Sequence, residues 1–410
     1  MRNYLIVTAS YWGFTLTDGA LRMLVLLHFY RLGYSPFTLA LLFLLYEAAG
    51  IIANLGGGWM ATRFGIRRML GLGLGLQIVG LMCLSVMSPE WSVAFSIVWV
   101  LAAQGLAGVA KDITKTASKS AIKITSVDGN NQMFRWVAWF TGSKNATKGI
   151  GFFAGGLLLD AAGFEYALWS MAGLLGFILF ACVPSLPSRL GVSASSKTVR
   201  ELFGKSKGVN ILAAARIFMF GARDVWFVVG LPVFLYSAGW SFWEVGGFLA
   251  VWTIAYGAIQ AIAPSLVRRS KDGLSREVPA ARLWGYGLAA VPALLIGALE
   301  LGDALSVSPQ MIVVVGLTIF GLPFAVNSSL HSYLILAYAG SRKAAEDVGF
   351  YYAANAAGRL MGTLLSGALY QVGGLTACLL ASFVMLALSA AISMALPPRT
   401  IPDIPPFADG

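Results

Sequence analysis

Lys144 and Lys148 stand four residues apart in one apolar run, Asn355 and Arg359 in another, and Asp18 and Arg22 in a third. Residues four apart on a helix share a face, one turn above each other. Two lysines stacked in this way repel, and nothing in a helix itself requires them. Arg216 and Arg223, seven apart, also fall on one face. Ammonium and guanidinium groups gathered together hold anions, Lys as a point charge and Arg as a fork matched to carboxylate- or phosphate-type oxygens. Within the apolar runs six cations (Arg22, Lys144, Lys148, Arg216, Arg223, Arg359) face three anions (Asp18, Glu47, Asp224), a surplus of three positive charges. These six cations, with Asn145 and Asn355 as amide partners, are the candidate anion-binding residues. Asp18 and Arg22 also read as a structural or gating ion pair. Asp18, Glu47, Asp224 and His28 are the candidates for proton coupling or gating. Lys111, Lys115, Lys119 and Lys123 add a basic stripe at four-residue spacing, shared between lipid phosphate and a vestibule at the mouth of a cavity. No catalytic triad, paired-carboxylate geometry or G-x-x-x-x-G-K-[ST] loop occurs, so the chain reads as no enzyme and as no consumer of bound ATP. With two histidines, His28 and His331, and three isolated cysteines, no metal site or other cofactor is expected.

Elements that hold charges in apolar surroundings must themselves be apolar. The 410 residues are 58% hydrophobic and 11% charged, with mean hydropathy +0.76, against about 25% charged in a soluble domain. The apolar residues come in blocks of about 20, the length that crosses about 30 Å of hydrocarbon. The chain therefore reads as an all-α membrane protein with twelve transmembrane helices near 4–31, 36–62, 69–88, 91–111, 132–160, 164–185, 209–237, 242–265, 283–301, 309–338, 348–372 and 374–396. Its organisation is an N-terminal six-helix bundle (1–185), a polar linker (186–208), a C-terminal six-helix bundle (209–396) and a Pro-rich flexible tail (397–410). The first block has no small-residue cleavage site and is a first span, not a signal peptide. Each mid-membrane charge costs about 2.5–3.5 kcal/mol on insertion scales, so such residues face a cavity or a partner.

Cations set orientation, accumulating on the cytoplasmic side. With both termini cytoplasmic, twenty of the 29 Lys and Arg fall at that face and only Arg31 at the other, where the connections are acidic (Glu90, Asp160, Glu165, Glu244, Glu300, Asp303). This sidedness accounts for most of the net charge of +11 without nucleic acid. The partners expected are the lipid bilayer and a small anion.

The halves repeat. A shift of 206 places Asp18 on Asp224, Tyr30 on Tyr236, Gly33 on Gly239, Ser35 on Ser241 and Arg63 on Arg269. A shift of 211 places Gly151 on Gly362, Gly156 on Gly367 and Gly163 on Gly374. Two parallel six-helix repeats resemble the major facilitator fold, whose halves rock about a midplane site. The loop Gly58-Trp-Met-Ala-Thr-Arg-Phe-Gly-Ile-Arg-Arg68 resembles that superfamily's G-x-x-x-D-R-x-G-R-R motif, with Thr62 in place of the Asp and Ile66 in place of an Arg. Gly151-x-x-x-Gly155 and Gly358-x-x-x-Gly362 read as close-packing motifs, and Tyr11, Trp12, Tyr30 and Trp226 as packing residues.

Four longer blocks carry a narrower resemblance. Tyr11-Trp-Gly-Phe-Thr-Leu-Thr-Asp-Gly-Ala-Leu-Arg-Met23, Gly108-Val-Ala-Lys-Asp-Ile-Thr-Lys115, Thr141-Gly-Ser-Lys-Asn-Ala-Thr-Lys-Gly-Ile-Gly-Phe-Phe153 and Phe220-Gly-Ala-Arg-Asp-Val-Trp-Phe-Val-Val229 resemble the ArsJ family, the organoarsenical exporters of bacterial arsenic-resistance operons. The resemblance implies an antiporter-type efflux protein of the bacterial inner membrane. It implies 1-arseno-3-phosphoglycerate as substrate, made by a glyceraldehyde-3-phosphate dehydrogenase that is the functional partner, and hence arsenate resistance. From the residues alone, an organophosphate/phosphate exchanger would want the same cations, and a non-transporting membrane receptor or scaffold would tolerate their loss.

Overall fold

The computed structural model describes residues 2–125, 130–187, 205–267, 270, 274–302, 306–338 and 344–397. Most of the linker, the tail beyond Pro397, and the side chains of Thr62, Arg63, Lys119 and Lys123 lie outside what is described. Every regular element among the described residues is helical: α1 (Arg2–Arg31), α2 (Pro36–Leu42), α3 (Leu44–Phe64), α4 (Ile66–Ser85), α5 (Val93–Thr125), α6 (Asn130–Phe177), α7 (Lys207–Phe227), α8 (Gly230–Ser237), α9 (Phe242–Leu266), α10 (Glu277–Glu300), α11 (Pro309–Tyr338) and α12 (Ala344–Ser393). A short π-helical turn (Ile178–Cys182) and a 3₁₀ turn (Val183–Ser185) finish α6. Nine stretches are long and apolar enough to cross a bilayer, and among the described residues they include all these helices except α1 and the first part of α6. In α1 the polar residues around Asp18 and Arg22 dilute a helix that is otherwise long enough.

Two helices are too long for one crossing. At 1.5 Å per residue a 48-residue helix would run about 72 Å, more than twice the hydrocarbon thickness. Each breaks at glycine. Gly163 in α6 has φ 82°, and Gly374 in α12 has φ 61° after Gly373. A side chain disfavours that left-handed region, and Gly enters it freely. The sequence separates 132–160 from 164–185; in the structure the two segments abut with no loop, and one glycine turns the chain.

Shifted positions share local structure as well as residue type. Gly33 (φ 87°), just after α1, and Gly239 (φ 93°), just after α8, take the same conformation. Ser35 caps α2 by accepting from Thr38 N, and Ser241 caps α9 by accepting from Glu244 N. A Cβ on Gly156 would strike the Phe242 carbonyl, and one on Gly367 the Pro36 carbonyl, with Phe242 lying 206 positions after Pro36. Tyr30 meets its own counterpart Tyr236 edge-on, centroids 5.8 Å apart. Here, with Phe37 N donating to Gln371 Oε1, the halves close on one another at one end of the bundle.

Backbones cross where the sequence has small residues. Gly151 and Gly155 of α6 lie on α1 at Leu16 and Ala20, and Gly358 and Gly362 of α12 lie on α7 at Ile217 and Gly221. With lipid as apolar as the side chains, such close van der Waals fits are what hold membrane helices together. The crossings carry Lys144, Lys148 and Arg359 inward beside α1 and α7.

Candidate functional site

A cavity of about 70 Å³ is lined by α1, α3, α5, α6 and α12. Its charged lining consists of Asp18, Glu47, Lys111, Asp112, Lys115, Lys144, Lys148 and Arg359, five cations against three anions, with Asn54, Tyr352 and Asn355 as polar neighbours. The walls carry a net +2; of the nine charges tallied from sequence only Lys144, Lys148 and Arg359 against Asp18 and Glu47 stand there, a net +1, and Lys111 and Lys115 against Asp112 supply the rest.

Glu47, 1% exposed, sits at the centre of an ion network. Arg22 reaches it at 2.8 Å from α1, and Arg359 at 2.7 Å from α12. Arg359 also grips Asp224 of α7 at 3.2 Å, and Arg223 completes the chain on Asp224. The bridge Arg22–Glu47–Arg359–Asp224–Arg223 therefore ties α1 and α3 to α7 and α12. Charges taken out of water require such saturation, since an orphaned one costs several kcal/mol.

This corrects the pairing expected from spacing. Arg22 does not pair with Asp18, its i−4 neighbour. Asp18 accepts a 2.6 Å hydrogen bond from the Tyr46 hydroxyl, while Arg22 crosses to Glu47 and lies over the rings of Phe43 and Tyr46. Likewise Arg223 holds its own neighbour Asp224 and no further carboxylate among the described residues, its guanidinium lying over Phe220, Phe227 and Phe324.

Not every candidate reaches the cavity. Lys144, Lys148, Asn355 and Arg359 line it; Arg22, Arg216, Arg223 and Asn145 do not. Arg216, 4% exposed, donates to Asn355 Oδ1 and the Ser328 carbonyl and packs on Phe220 and Tyr351. That is the setting of a structural arginine. Asn145 donates to Gln260 Oε1 of α9 at 3.1 Å. His28 stacks on Phe164 at 3.9 Å near the far end of α1, away from the cavity. Lys111 and Lys115, read as vestibule residues, stand on the cavity wall itself. Both pair with Asp112, and Lys115 also donates to Asn54 Oδ1 at 2.9 Å.

Asp112 is the residue that sequence reasoning passed over. It is 2% exposed and lies inside the lysine stripe. Its signal was present, an acid within an apolar run, but the lysines drew the whole segment to the membrane surface. Among the described residues Lys148 has no carboxylate partner, and its ammonium lies 5.6 Å from the centroid of the Phe152 ring.

The family model described as Major Facilitator Superfamily matches residues 4–346. No curated protein sequence matches the chain. Among solved structures, the fold is similar to that of a POT family transporter in complex with a thioalcohol-conjugated peptide: TM-score 0.71, 14% identity, 96% of this chain and 95% of that one. It is also similar to a structure described under substrate recognition in proton dependent oligopeptide transporters: TM-score 0.68, 14% identity, 96% and 98% covered. At that identity the likeness speaks for the fold alone.

Proposed function

The chain belongs to the major facilitator superfamily, and we propose that it is a secondary active transporter exporting a small organic polyanion, 1-arseno-3-phosphoglycerate, and so conferring arsenate resistance. It is a multi-pass membrane protein, with the fold of transporters rather than of an enzyme. Its architecture is read as twelve spans in two parallel six-helix repeats: α2 with α3 and α7 with α8 each make one crossing, and α6 and α12 each make two about their glycines. The matched φ values, caps and glycine contacts at shifts of 206 and 211 support this count. The cation sidedness supports cytoplasmic termini, and the resemblance of the four sequence blocks supports a bacterial inner membrane.

One observation carries the substrate class. The central cavity has a net positive lining that includes Lys148, a cation with no carboxylate partner among the described residues, beside Lys144 and the doubly held Arg359. In a low-dielectric site such a charge calls for a mobile anion. A phosphate and an acyl arsenate on a three-carbon chain offer anionic groups at both ends. Lys144 and Lys148 reach from the N-terminal half and Arg359 from the C-terminal half, so one ligand could touch both and be released when they part. The identity of the ester rests on the resemblance of four sequence blocks to the ArsJ family, and the functional partner, glyceraldehyde-3-phosphate dehydrogenase, on the same resemblance.

Everted membrane vesicles supplied with that dehydrogenase, glyceraldehyde 3-phosphate, NAD and arsenate test it. Vesicles carrying the protein should accumulate arsenic, and should not when either arsenate or the dehydrogenase is omitted. Equal accumulation of labelled phosphate in exchange, with no arsenic uptake, would favour an organophosphate/phosphate exchanger. No flux of either would sink the transporter reading.

A further inference from the structure

The repeat shifts relate individual charged residues. Adding 211 to Lys144 and Lys148 gives Asn355 and Arg359, and adding 206 to Asp18 gives Asp224. In the C-terminal half the corresponding residues are joined: Arg359 Nε donates to Asp224 Oδ2 at 3.2 Å. In the N-terminal half the counterparts Lys148 and Asp18 both line the cavity but form no ion pair. The surroundings of the two carboxylates differ at one corresponding position: Tyr46 sits 206 positions before Trp252. The Tyr46 phenol donates to Asp18, 2.6 Å away, whereas the Trp252 N–H donates to the Leu317 carbonyl at 2.7 Å and Asp224 is met by Arg359.

We propose that Asp18 is the intramolecular stand-in for the substrate: it rests on Tyr46 while Lys148 is open to an anion, and moves to Lys148 when the empty transporter reorients. Closing the cavity dehydrates Lys148, and a desolvated cation without a counter-ion makes the unloaded crossing prohibitively slow. A loaded transporter brings its own anion. An empty one needs a carboxylate, and pseudo-symmetry with Asp224 and Arg359 points to Asp18. Glu47 cannot serve while it is held by Arg22 and Arg359, nor Asp112 while it is held by Lys111 and Lys115. This rests on the reading of Lys148 as a substrate contact.

Purified protein in proteoliposomes, with radiolabelled 3-phosphoglycerate as a stable probe, separates the two legs of the cycle. Net uptake into empty vesicles needs the unloaded return. Exchange into vesicles preloaded with unlabelled 3-phosphoglycerate does not. Asp18→Asn should lower the ratio of net uptake to exchange, both measured on the same protein, by about tenfold or more, since only the empty crossing has lost its counter-ion. Tyr46→Phe keeps the carboxylate but frees it to compete, so the half-saturating probe concentration should rise several-fold with the maximal rate retained. Undiminished net uptake by Asp18→Asn, or equal loss of both modes at normal membrane abundance, would overturn the assignment. Should Asp18→Asn fail to accumulate, an unchanged half-saturation in Tyr46→Phe overturns it instead. Lys148→Gln keeps the two failures apart. If it exchanges at the normal rate, Lys148 is no substrate contact and the premise itself falls. If it is inactive while Asp18→Asn is normal, only the role of Asp18 falls.

Discussion

Replacing Lys148 by Gln removes a positive charge from the cavity wall and strands no carboxylate. Its described contact is the Phe152 ring at 5.6 Å, worth about 0.5–1 kcal/mol as a cation–π interaction. The protein should therefore accumulate in the membrane at close to the normal level. The loss appears in the loaded state. Truncating one partner of a desolvated charge contact costs about 2–5 kcal/mol, and about 1.4 kcal/mol is tenfold in affinity, so the half-saturating concentration should rise roughly 30-fold or more. The assay is initial uptake of the arseno-ester into everted vesicles at graded dehydrogenase supply, normalised to transporter abundance on an immunoblot. In cells that also make the ester, arsenate resistance should fall in parallel. Lys148→Arg keeps the charge and should be milder. Unaltered half-saturation at normal abundance would refute the argument that the unpartnered cation is the anion's seat. A large drop in abundance would refute the reading of Lys148 as structurally idle.

Arg359→Gln should behave differently, because the bridge between the halves loses its shared member: Glu47 keeps Arg22 and Asp224 keeps Arg223, yet both abundance and transport should fall. Thermal unfolding in detergent should show a lower midpoint for Arg359→Gln than for Lys148→Gln, and the reverse order would place the structural load elsewhere. Glu47→Gln leaves Arg22 and Arg359 sharing a neutral amide, and breaking a buried pair costs about 3–5 kcal/mol, so this variant should be the least stable of the ion-network set. A double-mutant cycle should give a coupling of about 1 kcal/mol or more between Arg22 and Glu47, in contact at 2.8 Å, and less between Arg22 and Asp18. Gly155→Ala would put a Cβ 2.8 Å from Ala20 Cα and should cost about 1–3 kcal/mol, whereas Gly176→Ala meets nothing within 4 Å and should be neutral. Reporter fusions at Ser196 and at the C-terminus should both read as cytoplasmic; a signal from the other side at either site would contradict the span count.

The membrane-spanning helical class of this protein was legible in its sequence, because hydrocarbon of fixed thickness imposes block length on any chain that crosses it. Four glycines singled out in the sequence have an equally local reason: Gly33, Gly163, Gly239 and Gly374 take positive φ, a demand that acts through one residue at a time. That the charges within the apolar runs need a cavity or a partner could be read for a similar reason, since apolar surroundings tolerate an ionised side chain only there.

Which charge answers which was another matter. Spacing along one helix offered Asp18 to Arg22, but a long guanidinium can reach a neighbouring helix as easily as its own next turn, and Glu47 of α3 stood within 2.8 Å. Arg216 looked like Arg359 in the sequence, each an arginine amid apolar residues. Only the packing of α7 against α11 and α12 turned the first towards the Ser328 carbonyl and Asn355, while the second was left on the cavity wall. Asp112 was hidden by its lysine neighbours until α5 was placed beside α3. Nor could periodicity show that Lys148 has no carboxylate partner among the described residues, because that depends on what tertiary packing sets beside it, and Asp18 is met by Tyr46, 102 positions before Lys148 in the chain. Local sequence dictates where each helix runs and which way its backbone can turn; the partner of a buried charge is decided by whichever helix tertiary packing brings within a few ångströms of it.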